Sequence, residues 1–210
     1  MIIIISFLEE SIMLELSADA GMKQLKRKCP SSYQHCLRVS AIARHFANTL
    51  PICGKEKDLL VRGCYLHDIG KLFIPSAILK RQGKLSEQEW SIMRQHPSCG
   101  GTVVGGNSVI SSRIVEIVMY HHERWDGRGY PEGRSGQEIP YFARICAVID
   151  AFDSMMSNRC YRSSQSFADT ITELRAGSGS QFDPDLVEPF IAFIAATGLN
   201  ETMYSHSTAV

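Results

Sequence analysis

The chain has 210 residues, 44% of them hydrophobic, enough to bury one substantial core without a disulfide or metal staple. Lys plus Arg and Asp plus Glu both total 22, so no strong overall field draws the protein to polymeric nucleic acid or an anionic membrane, and any anion site must be local. The seven cysteines are odd in number, scattered and free of any CxxC pair, which excludes a zinc knuckle, argues against a secreted disulfide framework and favours a reducing cytoplasm.

Taken in chain order, the apolar run Ile2 to Leu8 has no basic residue before it and is closed by Glu9 and Glu10. It is too short for a membrane span and poor as a signal peptide. Residues 1–29 therefore read as an N-terminal extension, helix or strand, ahead of a domain over 30–197 and a C-terminal tail over 198–210. Apolar periodicity and capping signals predict an all-α chain with helices near 33–50, 55–69, 86–101, 109–122, 138–157, 165–176 and 184–196. Ser86-Glu87-Gln88-Glu89 is a capping box, and Asp183-Pro184 is an N-cap followed by proline at the first helical position. Gly70 and Gly177 stand where helices should stop, on the expectation of a left-handed C-terminus. The longest irregular stretch, 123–137, is glycine-rich and long enough to be functional.

The first chemical signal is His67-Asp68. Leu60, Gly63, Cys64 and His67 share one helix face, so the histidine points inward, and a buried carboxylate next to it is costly unless paired or coordinated. The pair alone is a common two-letter match, and a hydrogen-bonded histidine beside a helix-terminal aspartate explains it as well. His121-His122 adds weight, because the stripe Ile114 and Val118 runs into both imidazoles, and neighbours about 100° apart on a helix can reach a cluster wider than one ion. His35, His96 and Asp150 also stand on predicted helices or at their ends. Together these residues make the ligand inventory of a two-metal hydrolase. A mixed His/Asp set without cysteine suits Fe, Mn or another first-row ion. His45 and His206 are left as surface residues.

At this point the chain resembles the HD-GYP family, a branch of the HD-domain metal phosphohydrolases. The resemblance rests on His67-Asp68-Ile69-Gly70-Lys71 and on the run from His121-His122 through Trp125-Asp126-Gly127-Arg128-Gly129-Tyr130-Pro131, and it covers roughly residues 30–195. It implies a helical bundle around a di- or trinuclear metal centre. Carried over by position, His35, His67, Asp68 and Asp150 serve one divalent ion, while Asp68 as a bridge, His96, His121 and His122 serve the second. The implied activity is hydrolysis of cyclic di-GMP to linear pGpG, and onward to GMP, by a hydroxide that the two metals activate. Cyclic GMP-AMP is the nearest competing substrate and a general nucleotide phosphohydrolase a further alternative. A non-catalytic module that senses the dinucleotide, or docks on a diguanylate cyclase, is the rival from another class.

Around the metals, Lys71 lies just past the helix end and can set an ammonium beside the scissile phosphate. Asp153 shares a face with Asp150 and can approach the leaving group or orient a water. Arg159 and Arg162 suit the substrate phosphates. Gly129 lets backbone approach a ligand, and Tyr130 can stack or hydrogen-bond. Some relatives place a glutamate four residues before the first histidine, where it helps to hold a third ion; here that position is Ser31, so the expectation is a dinuclear site. Glu123 is the carboxylate that could substitute.

Overall fold

The computed structural model describes residues 18–106, 109–157, 165–198 and 204. Ten α-helices follow one another among them: α1 (Ala18–Lys28), α2 (Pro30–Phe46), α3 (Gly54–Leu66), α4 (Ser76–Leu79), α5 (Glu87–Met93), α6 (His96–Gly105), α7 (Ser112–Tyr120), α8 (Tyr141–Met156), α9 (Phe167–Ala176) and α10 (Pro184–Thr197). Short 3-10 turns at Ile69–Phe73 and Gly136–Glu138 join α3 to α4 and lead into α8. Among the described residues there is no sheet, only two isolated bridges, Asp126 with Ser135 and Ser178 with Phe182. No described helix is long and apolar enough to cross a membrane, and the six described cysteines are free thiols. The apolar run at residues 2–8 lies outside the described residues.

Two apolar clusters hold the bundle together. One joins α2, α3, α8, α9 and α10 through Phe46, Leu60, Phe152, Leu174 and Phe190. The other joins α1, α3, the turn after it, α6 and α7 through Met22, Leu25, Leu66, Ile69, Val103 and Val118. Phe46, Phe152 and Phe190 are fully buried and meet edge to face, so truncating one to alanine removes about 3–5 kcal/mol. Helices α2, α3 and α7 contribute to both clusters, with Cys36 and Val39, Cys64 and Leu66, and Ile117 and Val118 as neighbours on either side. These three helices also carry most of the histidines discussed below.

The helix expected at 86–101 is two helices, broken at Arg94-Gln95. Pro97, in the first turn of α6, has no N–H to offer the Met93 carbonyl and its ring crowds that group, so the chain restarts. The N-terminal extension contributes α1, which buries Met22 and Leu25 in the second cluster. Neither Gly70 nor Gly177 adopts the left-handed conformation expected of it. A Cβ on Gly70 would lie 1.9 Å from the His96 carbonyl oxygen, so its role is to let the turn after His67-Asp68 touch the backbone of α6. Gly177 ends α9 in right-handed geometry, its missing side chain replaced by the Phe182 ring.

Candidate metal centre

The helices end where their histidines begin. His67 caps α3, His96 opens α6 and His121 caps α7, while His35 and Asp150 project from within α2 and α8. Helix ends leave backbone carbonyls without partners, and each of these histidines takes one. The Nδ1–H of His67 donates to Cys64 O at 2.7 Å, that of His96 to Met93 O at 2.8 Å and that of His121 to Val118 O at 2.9 Å. The Met93 carbonyl is the one that Pro97 leaves free. His35 follows the same pattern with a carboxylate, its Nδ1 lying 2.6 Å from Asp153 Oδ2. A neutral ring whose Nδ1 donates presents Nε2 as a lone pair, so in their neutral form the four imidazoles aim acceptors away from their anchors.

Those acceptors converge. His35 Nε2 and His67 Nε2 are 3.3 Å apart, as are His96 Nε2 and His121 Nε2. Two lone pairs at that distance repel unless a cation lies between them. Ligands about 2.1 Å from an ion, at angles of 90–110°, sit about 3.0–3.4 Å from each other, so the spacing suits a shared metal. Asp68 stands between the pairs: Oδ1 is 3.3 Å from His96 Nε2, and Oδ2 is 3.6 Å from His67 Nε2 and 3.9 Å from His35 Nε2. Asp150 Oδ1 is 2.8 Å from His35 Nε2. Two ligand clusters result, His35 with His67 and Asp68, and His96 with His121 and His122. The donor set fits divalent metal ions.

The electrostatics match that use. Burial holds His67, His121 and His122 below the usual imidazole range, His122 at about 3 with His96 adding to the effect, so these rings are neutral and ready to coordinate. Burial also works against charge on His35, but its bonds to Asp150 and Asp153 outweigh it and raise its pKa. Asp68 is fully buried, which would favour its neutral form, yet Lys71 and then His67 hold the carboxyl well below the ordinary range. The Lys71 ammonium lies 2.5 Å from Asp68 Oδ2.

The seven residues expected as ligands lie together, Asp153 and Gly129 are placed otherwise than expected, and Glu123, the alternative to the dinuclear reading, joins neither cluster. Asp153, expected at the leaving group, is completely buried behind His35 and bonds to Arg38 and Ser157 as well, so its geometry is that of a residue orienting the imidazole. Gly129, expected to approach a ligand, approaches the chain itself: a Cβ there would lie 2.4 Å from Arg124 N and 2.5 Å from Glu123 Cα. Glu123 belongs to neither ligand cluster; its Oε1 accepts the N–H groups of Glu132 at 2.7 Å and Gly133 at 3.0 Å and braces the loop, while its Oε2 is buried without a partner. Tyr130 does stack, on His122, with ring centroids 4.8 Å apart. Arg159 and Arg162 lie outside the described residues.

The centre opens into a cleft of about 620 Å³. Its lining includes the polar His35, Arg38, Lys71 and Tyr130 and the apolar Leu79, Leu85, Trp90 and Met93. Trp90 is 45% exposed. Sequence reasoning missed Arg38, Trp90 and Tyr204 in this cleft. A tryptophan on the polar side of a short helix was the one available signal, and only for Trp90.

Comparison with known proteins agrees with this geometry. The model of the HD domain matches residues 19–186. The chain is 42% identical over 161 residues to a cyclic di-GMP phosphodiesterase of Thermotoga maritima, covering 76% of this chain and 44% of that protein. It is 36% identical over 155 residues to the 3′3′-cGAMP-specific phosphodiesterase 2 of Vibrio cholerae, covering 73% of this chain and 30% of that one. It thus spans less than half the length of either relative. Among solved structures, Bd1817, an HDG"Y"P protein from Bdellovibrio bacteriovorus, superposes with a TM-score of 0.66 at 18% identity, over 92% of this chain and 59% of that one. The chain belongs to the HD domain family and, by its paired histidine motifs, to the HD-GYP branch of it.

Proposed function

We propose that this chain is a phosphodiesterase that opens a cyclic dinucleotide, cyclic di-GMP in the first instance, to the linear product pGpG. The observation that carries the reading is the convergence of histidine Nε2 atoms and carboxylate oxygens beside a cleft large enough for a nucleotide. The printed activities of the two relatives, one on cyclic di-GMP and one on cyclic GMP-AMP, support the substrate class.

His35, His67, Asp68 and Asp150 would hold one divalent ion and Asp68, His96, His121 and His122 a second, with Fe or Mn best suited to the donors. Such ions supply positive charge to the phosphoryl oxygens and make a water acidic enough to attack near neutral pH. The remaining work falls to the chain's own side chains. Lys71, tied to Asp68, lines the cleft and offsets charge that develops on the phosphate. Arg159 and Arg162 are assigned to the phosphates on sequence grounds. Trp90 and Met93 would give a base an apolar surface in the cleft lining, which Tyr130, stacked on His122, also joins. With Ser31 where a third carboxylate would stand, two ions are expected and cleavage stops at pGpG. Free thiols throughout the described residues suit the reducing cytoplasm in which the reading places the protein.

The deciding experiment incubates Mn- or Fe-loaded protein, under reducing conditions, with cyclic di-GMP and cyclic GMP-AMP in parallel and separates the products by ion exchange. Release of pGpG is expected. Tight binding of the dinucleotide with no linear product over hours would replace the enzyme with a sensor. Faster turnover of cyclic GMP-AMP would move the substrate to that second reading.

A further inference from the structure

The carboxylate behind His35 is held by more than the HD domain. Asp153 is completely buried, and its two oxygens collect five hydrogen bonds. Oδ2 receives His35 Nδ1 at 2.6 Å, Arg38 Nη2 at 2.8 Å and Ser157 Oγ at 3.2 Å. Oδ1 receives Arg38 Nε at 2.8 Å and the hydroxyl of Tyr204 at 2.5 Å. Four of these donors belong to residues 19–186, the stretch that the HD domain model matches; Tyr204 lies beyond it. The Tyr204 ring is seated as well as bonded. It packs edge to face on Phe152 with centroids 6.2 Å apart, has the Arg38 guanidinium 5.9 Å from its centre, and lines the cleft beside His35.

We propose that Tyr204 is a positioning residue for the metal centre: its hydroxyl fixes the Asp153 carboxylate, which fixes the orientation and tautomer of His35, so that Tyr204 tunes metal affinity at the His35 half of the site. The physical basis is that a buried carboxylate oxygen with one donor can turn, whereas one with two opposed donors cannot. His35 has no helix-end carbonyl to anchor it, unlike His67, His96 and His121, so Asp153 is the anchor of its Nδ1, while its Nε2 lies 2.8 Å from Asp150 Oδ1. The inference rests on the metal-centre reading and is independent of the substrate.

The test uses full-length chain stripped of metal with a chelator, comparing wild type, Tyr204→Phe and Asp153→Asn. Mn²⁺ affinity is measured by competition with a fluorescent chelator, and the ring ¹⁵N shifts of His35 are recorded in the metal-free proteins. Loss of a group bonded directly to a ligand weakens metal binding about 10–100-fold, which is the range expected for Asp153→Asn. Tyr204→Phe acts one bond further out, so about 3–10-fold is expected at one Mn²⁺ site, with the second unchanged and the His35 signals displaced. Unchanged affinity with unmoved His35 signals in Tyr204→Phe overturns the proposal. Equal weakening of both sites together with a lower unfolding temperature would also overturn it, as that is what a merely structural tyrosine gives. Failure of the wild type to bind Mn²⁺ would sink the metal centre itself, and it is visible before any variant is made.

Discussion

Asp68→Asn is the substitution with the most calculable consequence. Asp68 is 1% exposed and presents one oxygen to His96 and the other to His67, His35 and Lys71. Asparagine keeps the volume but replaces one oxygen by an NH₂. Turned toward Lys71, that group sets donor against donor; turned toward His96, it donates to the Nε2 lone pair a metal needs. Groups that only orient ligands cost about 10–100-fold in affinity when removed, so a charged ligand shared by both halves should cost at least about 100-fold. Mn²⁺ at 100 times its dissociation constant stabilises the wild type by about 2.7 kcal/mol per site. For a chain of this size that is a rise of roughly 5–11 °C in Tm. A hundredfold weaker site at the same concentration gives about 0.4 kcal/mol, or about 1 °C. Thermal unfolding with and without Mn²⁺, read by helical circular dichroism, measures the difference, and elemental analysis counts the ions. Neither apolar cluster includes Asp68, so the metal-free variant should remain helical. A variant that keeps the full Mn²⁺-dependent shift and hydrolyses at the wild-type rate would refute the bridging role.

Trp90→Ala should raise KM for the dinucleotide roughly 5- to 150-fold, the equivalent of about 1–3 kcal/mol of base stacking, and leave metal content untouched; an unchanged KM would remove Trp90 from the substrate surface. Glu123→Ala strands two loop N–H groups that now share Oε1, so unfolding in urea should show a loss of about 2–4 kcal/mol, and a loss under 0.5 kcal/mol would mean that the loop has other support. Elemental analysis of protein purified without chelator should find two ions per chain, and anomalous scattering from crystals showing three fully occupied positions would overturn the inference from Ser31.

The paired candidates were legible in the sequence because they announce themselves locally, whereas His35, His96 and Asp150 carry no such signal alone and were assigned through the family resemblance. His67-Asp68 and His121-His122 end amphipathic helices, and a helix end is a place that adjacent residues mark. The break at Arg94-Gln95 was also written there, since Pro97 has no N–H to donate to the Met93 carbonyl; the capping box at Ser86 drew the helix through it nonetheless. What could not be read is what the tertiary structure decides. Asp153 has the spacing of a site residue, and only the arrival of Arg38, 115 residues upstream, and Tyr204, 51 residues downstream, turns it inward against His35. The glycines mislead in the same way. Conformational freedom is the local reason for a glycine, whereas Gly70 and Gly129 are required by backbone that passes close to them from elsewhere, at α6 and at residues 122–124.

The way the imidazoles are anchored bears on what the metal does for the protein. In four of the five rings, those of His35, His67, His96 and His121, Nδ1 is fixed by a group that the fold supplies without metal, three backbone carbonyls and one carboxylate, so these rings need not search for their orientation when an ion arrives. The cost falls on the metal-free state. There, the Nε2 atoms face each other in pairs 3.3 Å apart, and the carboxylates of Asp68, Asp150 and Asp153 lie in the same buried region, with Lys71 on Asp68 and Arg38 on Asp153 among the groups that offset their charge. Both apolar clusters are complete without the site, which is how the fold tolerates a centre that opposes it. A divalent ion among these atoms would therefore relieve a repulsion already built in, and the rigidity of the helix ends that hold the rings would bear on its affinity as the ligand types do.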